Sequence, residues 1–267
     1  MPPKPDYPEL AEARQNWRYQ PAEACLAGRN ILVTGAGSGI GASAAKTYAC
    51  YGANVILLGR RRGPLEVVFD WIEANTDTRP VIVPCDLRAL NDDNAAALHD
   101  AIAGGYGTLH GLLHNASVLG PKVPVGHFPT HEWMEVMQVN AIAPFVLSKA
   151  LLPLMQQAEP KASVVLMSST VGRKGRAYWG AYAVAKHALE GFMEVLADEH
   201  EGVGDLKVNS LNPGATRTAL RATAYPGEDP AEVPMPEVKL DLLVYLMESA
   251  SDAVSGQALD ARDWPGP

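Results

Sequence analysis

The chain has 267 residues, 47% of them hydrophobic and 19% charged, which is enough apolar side chain for one domain with a sizeable core. With 30 acidic against 22 basic residues its formal net charge is -8, which disfavours broad attraction to nucleic acid or to an anionic membrane. The three cysteines, Cys25, Cys50 and Cys85, show no CxxC spacing and the histidines no HExxH-type pattern. Neither a disulfide framework nor a metal centre is supported, and a reduced, cytoplasmic setting is the expectation.

Residues 1–28 are polar, contain several prolines and lack the apolar run of a secretory signal, so they read as an N-terminal arm or a helix lying outside the main domain. No later run approaches the ~18 apolar residues of a membrane span. From Asn30 onward, short runs rich in β-branched residues and leucine alternate with longer amphipathic segments. The runs are NILVTG, ANVILLG, PVIVPCD, LHGLLHN, SVVLMSS and LKVNSLNP; the segments are Ser38–Tyr51, Pro64–Asn75, Asp92–Ala103, His131–Gln157 and Tyr178–His200. Such alternation predicts βαβ units and a mostly parallel sheet covered on both faces, a doubly wound α/β domain of Rossmann type over residues 29–267. Residues 219–236, rich in proline, alanine and acids, follow a strand end. They read either as a loop over the site or as a plain surface excursion.

TGAGSGIG, Thr34 to Gly41, sits between the first strand and the first helix, the context a dinucleotide fingerprint requires. Gly35 allows the sharp turn, Gly39 lets backbone approach a pyrophosphate and Gly41 permits close helix packing, with Ser38 and Ile40 between them at the helix N-terminus. The second strand ends in LLGRRRG, with no acidic residue to accept the ribose 2′-OH. Arg60, helped by Arg61 or Arg62, suits a 2′-phosphate, so NADP(H) is expected rather than NAD(H). Further on, GAYAVAK places Tyr182 one helical turn ahead of Lys186. A lysine at that spacing can stabilise a phenolate, although YxxxK alone also describes an ordinary surface pair.

TGxxxGxG, HNAS (His114 to Ser117), Asn140, Ser169 and Tyr182-x-x-x-Lys186 occur in one order and spacing, and with them the chain resembles the short-chain dehydrogenase/reductases from Asn30 to about Ala261. Within that family its segments VMQVN, ALLPLM and NPGATRTALRATAYPGEDP look like a bacterial subgroup, the YciK-type oxidoreductases. The resemblance implies that Tyr182 is general acid in reduction and base in oxidation, Lys186 tunes it and holds the nicotinamide ribose, Ser169 polarises the carbonyl, and Asn140 keeps a water on a proton path. It also carries over Asp86 and Leu87 as adenine contacts, Asn115 and Ala116 as cofactor lining, and Pro213, Gly214, Thr216 and Thr218 as contacts near the nicotinamide amide.

Two positions depart from the family pattern: Ser117 stands where a glycine is usual, and Thr216 where isoleucine or valine is. SGQALDA resembles the family's last strand, which makes seven. By position Val118, Leu119, Tyr178 and Trp179 read either as apolar walls of the substrate pocket or as loop packing, and the resemblance implies a small-molecule carbonyl or alcohol substrate. The helices over 131–157 and 178–200 are those that usually pair across a two-fold axis, implying a homodimer or homotetramer. The alternative kept open is a non-catalytic NADP-binding regulatory protein on the same fold.

Overall fold

Alternation along β1 (Asn30–Thr34) and β2 (Asn54–Gly59) sends Ile31, Val33, Val55 and Leu57 to one face of a sheet and Leu32, Ile56 and Leu58 to the other. With apolar side chains on both faces, the sheet is stable only if both are covered. The computed structural model, which describes residues 7–267, shows how they are. α2 (Gly39–Cys50), α3 (Arg62–Asn75) and α10 (Leu240–Met247) close one face; α4 (Asp92–Tyr106), α6 (Ala143–Gln156) and α8 (Gly180–Glu201) close the other.

The remaining strands are β3 (Val81–Pro84), β4 (Gly111–His114), β5 (Ala162–Met167), β6 (Leu206–Asn212) and β7 (Ala258–Asp260). They form one seven-stranded sheet in the order β3-β2-β1-β4-β5-β6-β7, and every pair is parallel. The central strands are fully buried, whereas edge strands β3 and β7 expose part of their residues. The strand order reverses between β1 and β4, so the crevice beyond their carboxyl ends is where this architecture places a ligand. Thr34 closes that point: its Oγ1 accepts from the amides of Asn115 at 2.9 Å and Ala116 at 3.0 Å, and its carbonyl accepts from Asn115 Nδ2 at 2.9 Å.

The segment expected over 131–157 is one continuous helix, Thr130–Gln156, made of α5 (Thr130–Met137), a π turn (Gln138–Ile142) and α6. By length and composition it is the one helix among the described residues that could cross a membrane, which the reading of isolated apolar runs did not anticipate. Its buried side, including Val139, Leu147, Leu151 and Met155, packs against the sheet, as a core helix does.

Residues 1–6 of the proposed arm lie outside the described residues. The rest of that segment carries α1 (Pro8–Arg14) and places Trp17 and Leu26 in the apolar cluster of the α2 face. Trp17 Nε1 donates to the Glu237 carbonyl at 2.9 Å, while Glu237 Oε1 accepts from Tyr7 Oη at 2.6 Å and Ser43 Oγ at 2.5 Å. These bonds tie the N-terminal segment, α2 and the entry to α10 together. At the other end of the chain Trp264 is buried against Tyr245, 5.5 Å between ring centroids.

Candidate active site

A cavity of about 380 Å³ opens over the carboxyl ends of β1, β2, β4, β5 and β6. At its floor the glycine turn after β1 is built by conformation and by contact. Gly35 has φ +68°, which a side chain rarely tolerates, and a Cβ on Gly41 would collide with the Gly35 carbonyl oxygen and with Asn115 Nδ2. Gly41 is therefore a packing glycine and does not line the cavity, whereas Gly35, Ser38, Gly39 and Ile40 do. α2 starts at Gly39, so its unpaired N–H groups face the cavity floor and suit a pyrophosphate.

Toward the adenine end, Arg60 and Arg61 line the cavity and β2 ends at Gly59 without a carboxylate. Arg62 is turned away and pairs with Glu66 one turn on, at 2.7 Å. Asp86 and Leu87 line the same end, joined by Arg88, which belongs to none of the motifs. The Arg88 guanidinium grips the Asp86 carboxylate at 2.5 Å and holds its pKa below the usual range. Its only sequence signal is an arginine two residues after that aspartate. This set of glycines, helix terminus and guanidinium groups fits a dinucleotide carrying a 2′-phosphate.

Toward the reacting end, Asn115, Ala116, Ser117 and Val118 come from the loop after β4, Ser169 from just after β5, and Tyr182 and Lys186 from α8. Pro213, Gly214, Thr216 and Thr218 follow β6, and Lys239 Nζ fixes their loop by donating to the carbonyls of Pro213 at 2.7 Å and Ala215 at 2.5 Å. Thr216 Oγ1 turns back toward the Gly214 carbonyl at 3.4 Å, so this threonine presents the loop's backbone. Of the proposed walls, Val118 and Trp179 reach the cavity; Leu119 packs behind it, and Tyr178 is 57% exposed. Tyr178 has φ +70°, a left-handed turn that delivers Trp179 to the interior.

Ser169 and Ser168 diverge as neighbouring residues at a strand end should. Ser169 lines the cavity and its Oγ caps α7 (Thr170–Arg173), accepting from Val171 N at 3.4 Å. Ser168 Oγ instead donates to the Glu190 carboxylate, which also accepts from Ser210 Oγ at 2.5 Å and pairs with Arg173 at 3.0 Å. Asn140 is fully buried in the π turn and does not line the cavity. Its amide is spent on the Val118 backbone, accepting from N at 2.9 Å and donating to O at 2.8 Å, so it holds the loop after β4 in place.

Tyr182 and Lys186 are both buried. Burial raises the Tyr182 pKa, and the nearby hydroxyls of Ser117 and Ser169 oppose that rise. This differs from the expectation that Lys186 draws the phenol toward neutrality: Lys186 Nζ donates to the Met167 carbonyl at 2.6 Å and lies 5.6 Å from the Tyr182 ring centroid. Desolvation brings Lys186 itself down to about 8, with the charge of Glu190 opposing. His114, behind this pair, is held down at about 3 by burial and by Lys186, and its Nε2 meets Ser148 Oγ at 2.9 Å. It is a neutral core histidine.

A pH dependence follows. Lys186 is an ammonium below its pKa of about 8 and neutral above it, while Tyr182 stays protonated through this range. A catalytic step that needs the Lys186 ammonium is expected to lose kcat/KM as pH rises through about 8. A profile still flat about two pH units higher would contradict this reading.

The family model described as "short chain dehydrogenase" matches residues 29–229. The chain belongs to the short-chain dehydrogenase family. Its relative in Escherichia coli K12, named "Uncharacterized oxidoreductase YciK", is 46% identical over 244 residues, covering 91% of this chain and 96% of that protein. A Shigella flexneri short chain dehydrogenase solved in complex with NADP superposes with TM-score 0.87 at 45% identity, over 90% of this chain and all (100%) of that one. A second, from E. coli CFT073 and complexed with NADPH, gives TM-score 0.88 at 45% identity, with coverages of 91% and 100%. The chain is thus an NAD(P)-dependent oxidoreductase of the short-chain type. Among the described residues there is no cluster of metal-ligating side chains, and the three cysteines are free, each with its pKa raised by burial.

Proposed function

We propose that the protein is an NADP(H)-dependent reductase or dehydrogenase of a small carbonyl or alcohol, with Tyr182 as its general acid and base. The observation that carries this reading is the convergence of Tyr182, Lys186 and Ser169 on the cavity whose other end is lined by Arg60 and Arg61. NADP(H), when bound, supplies or accepts the hydride. Arg60 and Arg61 hold the 2′-phosphate, and the α2 N-terminus with the turn at Gly35 to Gly39 takes the pyrophosphate.

In reduction the substrate oxygen accepts a hydrogen bond from Ser169 Oγ and a proton from Tyr182 Oη. The Lys186 charge stabilises the phenolate left behind, which recovers its proton from solvent, while Asn140 keeps the loop after β4 in register with the site. In oxidation the same groups run in reverse, Tyr182 taking the alcohol proton. Residues 219–236 act as the substrate loop, since α9 (Ala219–Ala224) and Tyr225 line the cavity.

The enzyme works in the cytoplasm as a homodimer or homotetramer joined through the long helices. Leu189 and Leu196 are buried in the core, but Phe145, Val184 and Val195 are exposed on those helices, an apolar face that a second copy would cover. Following NADPH oxidation with a panel of neutral aldehydes, ketones and quinones tests the function. Turnover with at least one carbonyl class is the expected result; tight NADPH binding without turnover on any would favour the regulatory alternative.

A further inference from the structure

The reacting end of the cavity continues outward along a chain of aromatic rings. Tyr182 lies 5.7 Å from Trp179, and Trp179 lies 5.8 Å from Tyr225, centroid to centroid. Both Trp179 and Tyr225 line the cavity, so a substrate whose carbonyl meets Tyr182 has an apolar, ring-faced path to follow. At the far end of that path three cations gather on one ring. Arg221, also on the cavity wall, stacks 3.7 Å from the Tyr225 centroid, Lys122 Nζ lies 4.8 Å from it and 4.6 Å from that of Trp179, and Arg176 Nη1 reaches Tyr225 Oη at 3.4 Å.

Their charge is poorly balanced. Arg221 pairs with Glu228 at 2.5 Å, but among the described residues neither Lys122 nor Arg176 has a carboxylate partner; Lys122 donates only to the Ala224 carbonyl, at 2.7 Å. In a chain of net charge -8 this is a local excess of positive charge at one opening. Three cations are set around one ring with a single carboxylate among them, and an anion placed there would gain their attraction. Cation–π contact with Tyr225 and Trp179 holds the ammonium and guanidinium groups near the rings without neutralising them.

We propose that this rim is a subsite for an anionic group, so that the carbonyl substrate carries a carboxylate, or a comparable anion, on an apolar body of about ring size. The inference rests on the carbonyl-reducing function above. Lys122, Arg176 and Arg221 hold the anion, Trp179 faces the body, and the carbonyl lies at Tyr182.

The test uses the full chain, para-formylbenzoate as probe and its uncharged methyl ester as control. Wild type is expected to reduce the carboxylate with kcat/KM about ten-fold or more above the ester. In Lys122→Ala/Arg176→Ala that ratio falls toward one, mostly through KM for the carboxylate. An ester equal to or better than the carboxylate in wild type, or a ratio undiminished in the double variant, overturns the proposal. Reduction of neither probe by an enzyme that reduces neutral carbonyls overturns it as well.

Binding of terephthalate in the presence of NADP+, followed by quenching of tryptophan fluorescence, separates this failure from failure of the reductase reading. Binding lost in the double variant, with no carbonyl reduced by wild type, supports the anion subsite and removes the reductase function. Absence of terephthalate binding in an active enzyme overturns the subsite alone.

Discussion

Replacing Tyr182 by phenylalanine is expected to lower kcat for carbonyl reduction by about 10²- to 10⁴-fold, the usual contribution of a positioned general acid. The substitution removes one oxygen and leaves the ring, which packs with Trp179 and Ala183 in a buried cluster, so the fold should survive it. The loss belongs in kcat because the phenol's proton is needed only as negative charge develops on the substrate oxygen. Without that proton, Ser169 Oγ remains as a donor to the oxygen and sustains the residual rate. The check is steady-state reduction of the best carbonyl from the panel, with NADPH affinity measured separately by fluorescence. A variant that matched wild type on every substrate giving turnover would remove Tyr182 from the mechanism.

Burial gives this experiment added weight. The Tyr182 pKa is raised by burial, so the phenol stays protonated and is reluctant to ionise. A nearby ammonium is the ordinary remedy, and Lys186 is close, but its proton is directed at the Met167 carbonyl. The YxxxK spacing conveys that the two side chains share a helix face. It does not convey that the face is turned into the protein, where desolvation acts on both groups and pulls them in opposite directions.

The same distinction explains what else was legible in the chain. Short apolar runs such as NVILLG are a local signal, and six strands followed from them, their parallel arrangement from alternation with helices and the glycine turn from TGAGSGIG. α10 escaped because LDLLVYLM is buried on all sides, so it lacks the polar face that marks a helix. The π turn around Asn140 was hidden as well, and so was its hydrogen bond to Val118, 22 positions away in the chain. Arg88 carries no motif, and Lys122 and Arg176, which meet the Tyr225 ring from other segments, are adjacent to it only in the fold. Arg62 shows the converse, a residue within a suggestive run whose side chain is committed to Glu66.

The second large effect concerns the choice of cofactor. Arg60→Ala/Arg61→Ala is expected to weaken NADPH binding by about 10²-fold or more, taking roughly 1.5 kcal/mol for each charge-assisted hydrogen bond that the 2′-phosphate no longer receives. NADH lacks that phosphate, so its affinity should change much less and the preference between the two should narrow or invert. Arg62→Ala serves as control, since its guanidinium is held by Glu66 and does not line the cavity. Arg88 is close enough to matter here, but its charge is already engaged by Asp86, which leaves Arg60 and Arg61 as the guanidinium groups at this end without a carboxylate in their grip. Direct titration of both reduced cofactors into wild type and the double variant decides the matter. Equal affinity of wild type for NADPH and NADH would show that the arginines after β2 are a solvated turn, and the basis for preferring NADP(H) would go with them.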